Sequence, residues 1–186
     1  MLGLIPKVLM EMVTREHGED LALEIKSRSG CKTDLEFRIN EVYDDEVWRK
    51  IVAAGCEVLG CSPETLEEEY ARYFLRDALN RWPAWFRMSG SAREFLERHP
   101  AVHNNFAEAV RDPVSRDLIK DKFRIEKFDN KLITHYRSPN RHCHLYTSLA
   151  DEVLRLYGEE ATIEQVKCVK RDDPECEIWI TWAPQN

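Results

Sequence analysis

Apolar residues recur at helical spacing through the first two thirds of the chain and alternate with polar ones after it. The segment "LIPKVLMEMVTREHG" sets Leu4, Val8, Leu9, Met12 and Val13 on one helical face and stops at Gly18, a residue type that closes helices. "DDEVWRKIVAAGCEVLG" and "SPETLEEEYARYFLRDALNRW" predict two further helices. The second opens with Ser62 as N-cap, Pro63 at the first helical position and acidic residues in the first turn, while its "LEEEY" reads as a solvated face. A fourth helix is "GSAREFLERHPAVHNNFAEAVRD", whose apolar face of Phe95, Leu96, Val102, Phe106 and Val110 runs past Pro100. After Pro113 the pattern changes. "KFRIEKFDNKLITHYRS" alternates on both sides of Asp129-Asn130 and predicts a hairpin. "CHLYTSLADEVLRLYG" is a helix ending at Gly158, and "ATIEQVKCVKRDDPECEIWITW" is a second hairpin about Asp172-Asp173-Pro174. A helical half followed by strand, strand, helix, strand, strand is an α+β fold with an antiparallel four-stranded sheet and one intervening helix.

Composition narrows the class. The 186 residues fit one domain over 1–186 with one substantial core, its first helices (about 1–60) forming a helical subdomain. With 43% hydrophobic and 33% charged residues, the chain has no apolar run long enough to cross a bilayer. Pro6, Lys7 and Glu11 interrupt the opening "MLGLIPKVLMEMV" and no cleavage site follows, so a cytoplasmic protein is expected rather than a secreted one. A net charge of -7, with Lys and Arg mixed among carboxylates, argues against a nucleic-acid face. Six cysteines without a secretion signal point to buried thiols or a metal site rather than to a disulfide framework.

Candidate chemistry is densest in "ITHYRSPNRHC". Pro139 biases Ser138 toward extended backbone, and side chains two apart on a strand share a face. Tyr136, Ser138 and Asn140 would then form a row of hydrogen-bond donors suited to a carboxylate. The plain alternative is a polar strand end before a helix.

"GSAREFLERHPAVHNNF" followed by "HYRSPNR" resembles the H-NOX family, the haem nitric oxide/oxygen binding domains of bacteria and of soluble guanylate cyclases. The similarity covers essentially the whole chain. It implies haem b, with His103, seven residues past Leu96, as the proximal iron ligand. A helix gives that imidazole a rigid mount. His99, one turn earlier, reads as a surface residue. The family's Tyr-x-Ser-x-Arg mark, which binds the haem propionates, falls on Tyr136, Ser138 and Asn140, with Arg141 one residue late. Asn offers a neutral amide where Arg offers a charged fork, a difference of roughly tenfold in haem retention unless Arg141 reaches in through a bulge or from the first turn of the helix. Pro113 resembles the proline that presses on the haem. The resemblance also puts Ile5, Phe74 and Leu145 in the distal pocket. Leu145 stands where oxygen-binding relatives carry a tyrosine, so nitric oxide and carbon monoxide are the expected ligands. Tyr146, about 100° further round the helix, is expected to point elsewhere.

A subset of bacterial relatives holds a structural zinc, which here implies Cys143, Cys168 and Cys176. Gln165 stands at the family's histidine position, leaving His142 or His144 to complete the set. Cys31, Cys56 and Cys61 read as structural. The resemblance implies a sensor rather than an enzyme. Nitric oxide would loosen the His103 bond and shift the helical half against the sheet half, signalling in trans to a histidine kinase, a cyclic-di-GMP enzyme or a chemotaxis receptor. The competing readings are a haem-free interaction module on the same fold and a thiol switch through the three cysteines.

Overall fold

The computed structural model describes residues 1–108, 110, 112–117 and 119–184. Helix α1 (Leu4–Glu16) ends before Gly18, whose φ of 103° turns the chain into α2 (Glu19–Arg28). Asp44 caps α3 (Asp45–Leu59), and Gly60 closes it in the left-handed conformation. Ser62 Oγ accepts the Thr65 N–H at the start of α4 (Pro63–Arg81), with Pro63 in the first turn as the sequence predicts. A short α5 (Pro83–Arg87) leads to α6 (Ala92–Glu108), which continues through Pro100. After α7 (Pro113–Asp117) come β1 (Phe123–Phe128) and β2 (Lys131–Tyr136), then α8 (Cys143–Tyr157), β3 (Ala161–Lys167), a 3-10 turn at Val169–Arg171 and β4 (Cys176–Trp182).

The sheet is antiparallel throughout, in the order β1-β2-β4-β3. Both predicted hairpins form, and the long crossover through α8 brings β4 beside β2. Leu132, Ile178 and Ile180 turn one face toward α8, where they pack with Val153 and Leu154 around a core that also takes in Phe95 and Leu96 of α6. A second core lies among α1 to α4 and includes Val8, Met12, Ile51 and Tyr70. The chain start is pinned between α1 and the loop before α3. The Gly3 N–H reaches the Glu41 carbonyl at 2.8 Å, and a Cβ at Gly3 would sit 2.2 Å from the Arg38 carbonyl oxygen, so only glycine fits there. Among the described residues, no helix is long and apolar enough to span a membrane.

Candidate functional site

The two cores meet at a mostly apolar cavity that opens to solvent. One wall comes from the start of the chain and from α4, with Leu4, Ile5, Phe74, Leu75 and Ala78. The opposite wall is α6, contributing Phe95, Leu96, His99, Val102, His103 and Phe106. Phe123 of β1, Tyr136 of β2, and Leu145, Tyr146 and Leu149 of α8 close the remaining sides.

Polar groups gather at one end. Ser138, Asn140 and His142, on the turn between β2 and α8, line the cavity together with Tyr136 and Lys122. The Tyr136 hydroxyl accepts the His142 N–H at 3.3 Å and the Ser138 hydroxyl accepts the Asn140 N–H at 3.3 Å. Burial raises the Tyr136 phenol well above its ordinary range and keeps it protonated. Asn140 Oδ1 and His142 Nε2 are buried without a partner.

His103 faces the same cavity from α6. Its Nδ1 is buried with no hydrogen-bond partner, and burial, with the Lys122 charge adding to it, lowers its pKa to about 4. The imidazole is therefore neutral at ordinary pH, the form that binds a metal. His99 is not a surface residue. Its ring stands edge-on to Phe123 at 4.4 Å and faces Tyr146 at 5.2 Å, and burial pushes its pKa down to about 3. The i, i+4 spacing that places His103 on the inner face of α6 places His99 there too.

The structure brings His103, Tyr136, Ser138, Asn140, Ile5, Phe74 and Leu145 onto one cavity. Three expectations change. Arg141 is exposed at the αL position of the turn, with φ 54°, and does not line the cavity; a turn rather than a bulge follows β2, and it aims residue 141 outward. Pro113 is exposed at the first turn of α7, and Ile119 lines the cavity instead. Tyr146 does line the cavity, with its hydroxyl hydrogen-bonded to Thr134 Oγ1 at 2.8 Å.

The sulfurs of Cys143, Cys168 and Cys176 lie within 4.8 Å of one another, all in buried residues. The Val169 N–H points to Cys176 Sγ and the Lys170 N–H to Cys168 Sγ, each at 3.4 Å. Neither predicted histidine joins them. His142 packs edge-on to Trp48 at 5.2 Å, and His144 lies 3.5 Å from Glu68 on the outer side of α8. Gln165 Nε2 is buried and unpartnered.

Comparison with known proteins agrees with this geometry. The family profile described as Haem-NO-binding matches residues 2–165. Soluble guanylate cyclase gcy-34 of Caenorhabditis elegans is 27% identical over 139 residues, 73% of this chain and 20% of that protein. Its relative gcy-37 is 27% identical over 105 residues, 55% of this chain and 15% of that protein. The chain thus spans a fifth or less of the length of these curated relatives. Among solved structures, an H-NOX protein from S. oneidensis in the Fe(II)NO ligation state superposes with TM-score 0.82 at 16% identity, covering 99% of this chain and all of that one. An oxygen-binding H-NOX domain related to soluble guanylate cyclases superposes with TM-score 0.79 at 17% identity, with full coverage of both chains.

Proposed function

We propose a function from the premise that this chain belongs to the Haem-NO-binding, or H-NOX, family: its cavity holds haem b and senses nitric oxide, with carbon monoxide as a second ligand. The observation that carries this reading is the pair of neutral imidazoles on the α6 wall, His103 and His99, each with a buried, unpartnered Nδ1, of which the family register selects His103. When bound, haem supplies an iron centre that takes a diatomic gas. His103 would hold that iron from α6, a rigid mount that fixes the direction of the ring. Tyr136 and Ser138 would donate to the propionates, and the orphaned polar atoms of Asn140 and His142 lie at the same end. Ile5, Phe74 and Leu145 exclude water from the other face. A changed pull on His103 acts on α6, which packs against both β1 and α8 and so reaches the sheet and the helical core together.

H-NOX domains are sensors rather than catalysts, and we assign this one to relaying gas binding to an effector. The receiver fits the classes the family implies, a histidine kinase or a cyclic-di-GMP enzyme. Reconstitution with haem tests the assignment. Wild type is expected to show a Soret band with an iron–imidazole signature in resonance Raman, and His103→Gly to lose that signature until free imidazole is added. Identical spectra for the two proteins without imidazole would remove His103 from the site.

The thiol cluster favours a second role on the same fold. Three thiols give three of the four donors of a structural zinc site. The Cys143 and Cys168 sulfurs lie 3.6 Å apart, in contact.

A further inference from the structure

A ligand carrying two carboxylates needs a cation at the polar end of this cavity, and neither Asn140 nor the outward-facing Arg141 provides one. Lys122 stands at that end. It lies just before β1, next to Phe123, whose ring stacks on Tyr136 at 4.8 Å, and it lines the cavity beside Tyr136, Ser138 and Asn140. We propose that Lys122 is the residue that takes a haem propionate in this chain, filling from β1 the role that its Asn140 cannot fill from the turn. The proposal rests on the haem reading above and deepens it.

The surrounding charges leave Lys122 available. Asp45, whose charge acts on Lys122, is held at 2.8 Å by the Met1 ammonium. On the other side, where Lys122 also borders a surface groove, Glu97 is held by Arg93 at 3.1 Å and Lys127 at 2.7 Å, and Glu175 by His135 at 2.9 Å. Lys122 itself forms no ion pair or side-chain hydrogen bond among the described residues. Burial holds its ammonium below the ordinary lysine range, with Asp45 pulling only weakly the other way, as suits a cation whose counter-ion arrives with the ligand. A half-buried ammonium is costly without a partner, whereas one meeting a carboxylate makes a charge-assisted hydrogen bond.

Haem release separates the outcomes. Ferric protein is mixed with excess apomyoglobin and the rate of haem transfer is read from the Soret change. Lys122→Gln is expected to release haem about tenfold faster than wild type, the worth of one charged contact. Lys122→Arg should restore slow release, and Arg141→Ala should leave it unchanged. The same variants are then loaded with haem dimethyl ester, whose propionates carry no charge; there wild type and Lys122→Gln should release at one rate. Equal release of native haem from wild type and Lys122→Gln overturns the proposal. So does a Lys122→Gln effect that persists with the ester, or a larger effect from Arg141→Ala. A wild-type protein that gives no Soret band on reconstitution overturns the haem reading itself, a different result from any of these.

Discussion

On the proposed reading, Leu145 decides the choice of gas. It is buried on α8 against the cavity, where a tyrosine in its place would present a hydroxyl. The neighbouring Tyr146 hydroxyl, already bonded to Thr134, is buried and its pKa is pushed up to about 12, so it stays a fixed neutral group within that pair. A hydrogen bond to bound oxygen is worth on the order of 1–3 kcal/mol, a factor of about 5 to 150 in affinity. The ferrous protein is therefore expected to bind nitric oxide and carbon monoxide but to hold no oxygen in air. Leu145→Tyr should strengthen oxygen binding. The visible spectrum of reduced protein before and after admitting air is the measurement, and a long-lived oxygenated spectrum in wild type would mean that another hydroxyl or imidazole reaches the ligand. At this scale the sequence was only partly legible. Motif spacing brought His103, Tyr136 and Ser138 together, but the same spacing could not say that Arg141 turns outward, because that depends on a left-handed residue after Asn140. Lys122 and His99 were missed although both signals were present. His99 shares the face of His103 by simple helix arithmetic, and Lys122 falls in register beside the Phe123–Tyr136 pair once β1 and β2 are aligned.

The thiol cluster joins three elements: Cys143 opens α8, Cys168 follows β3 and Cys176 begins β4. The register of β3 shifts between Gln165 and Lys167, and the 3-10 turn that follows directs two backbone N–H groups at sulfur. Such donors stabilise thiolate: the Lys170 N–H helps hold the Cys168 pKa below the ordinary thiol value despite its burial, whereas burial pushes Cys176 up to about 12 even with the Val169 N–H aimed at it. Reduced protein purified without chelator is expected to contain about one zinc per chain, and its removal should lower the melting temperature. Elemental analysis finding no zinc would leave three thiols and no metal site. Strong local signals explain which elements could be read in advance. Capped helices with a wide apolar face, such as α3 and α4, and hairpins with turn residues at their centre were legible. The ten-residue α2 was not, since only Ala22 and Ile25 of it are buried, and α5 and α7 are single turns that pattern cannot register.

Because the cavity lies between two cores, its contents couple the halves of the molecule. Leu4 and Leu145 belong to the core of the first helices, Leu96 and Tyr136 to the core beneath the sheet, and all four face the same space. A ligand that fills it adds to both cores, and one that binds only the folded chain stabilises that state by mass action. With free haem about a thousandfold above its dissociation constant the gain is roughly 4 kcal/mol. For a chain of 186 residues that corresponds to a rise of about 8–16 °C in melting temperature. Haem should therefore raise Tm by that order, with helix and tertiary signals melting in one transition. Iron-free protoporphyrin, which offers the same ring and carboxylates but nothing for His103 to hold, should give a smaller rise, and the difference measures the axial bond. If haem left Tm unchanged, or if it raised one of two separate transitions, the cavity would not be the link between the halves and a signal carried through α6 would have no structural basis.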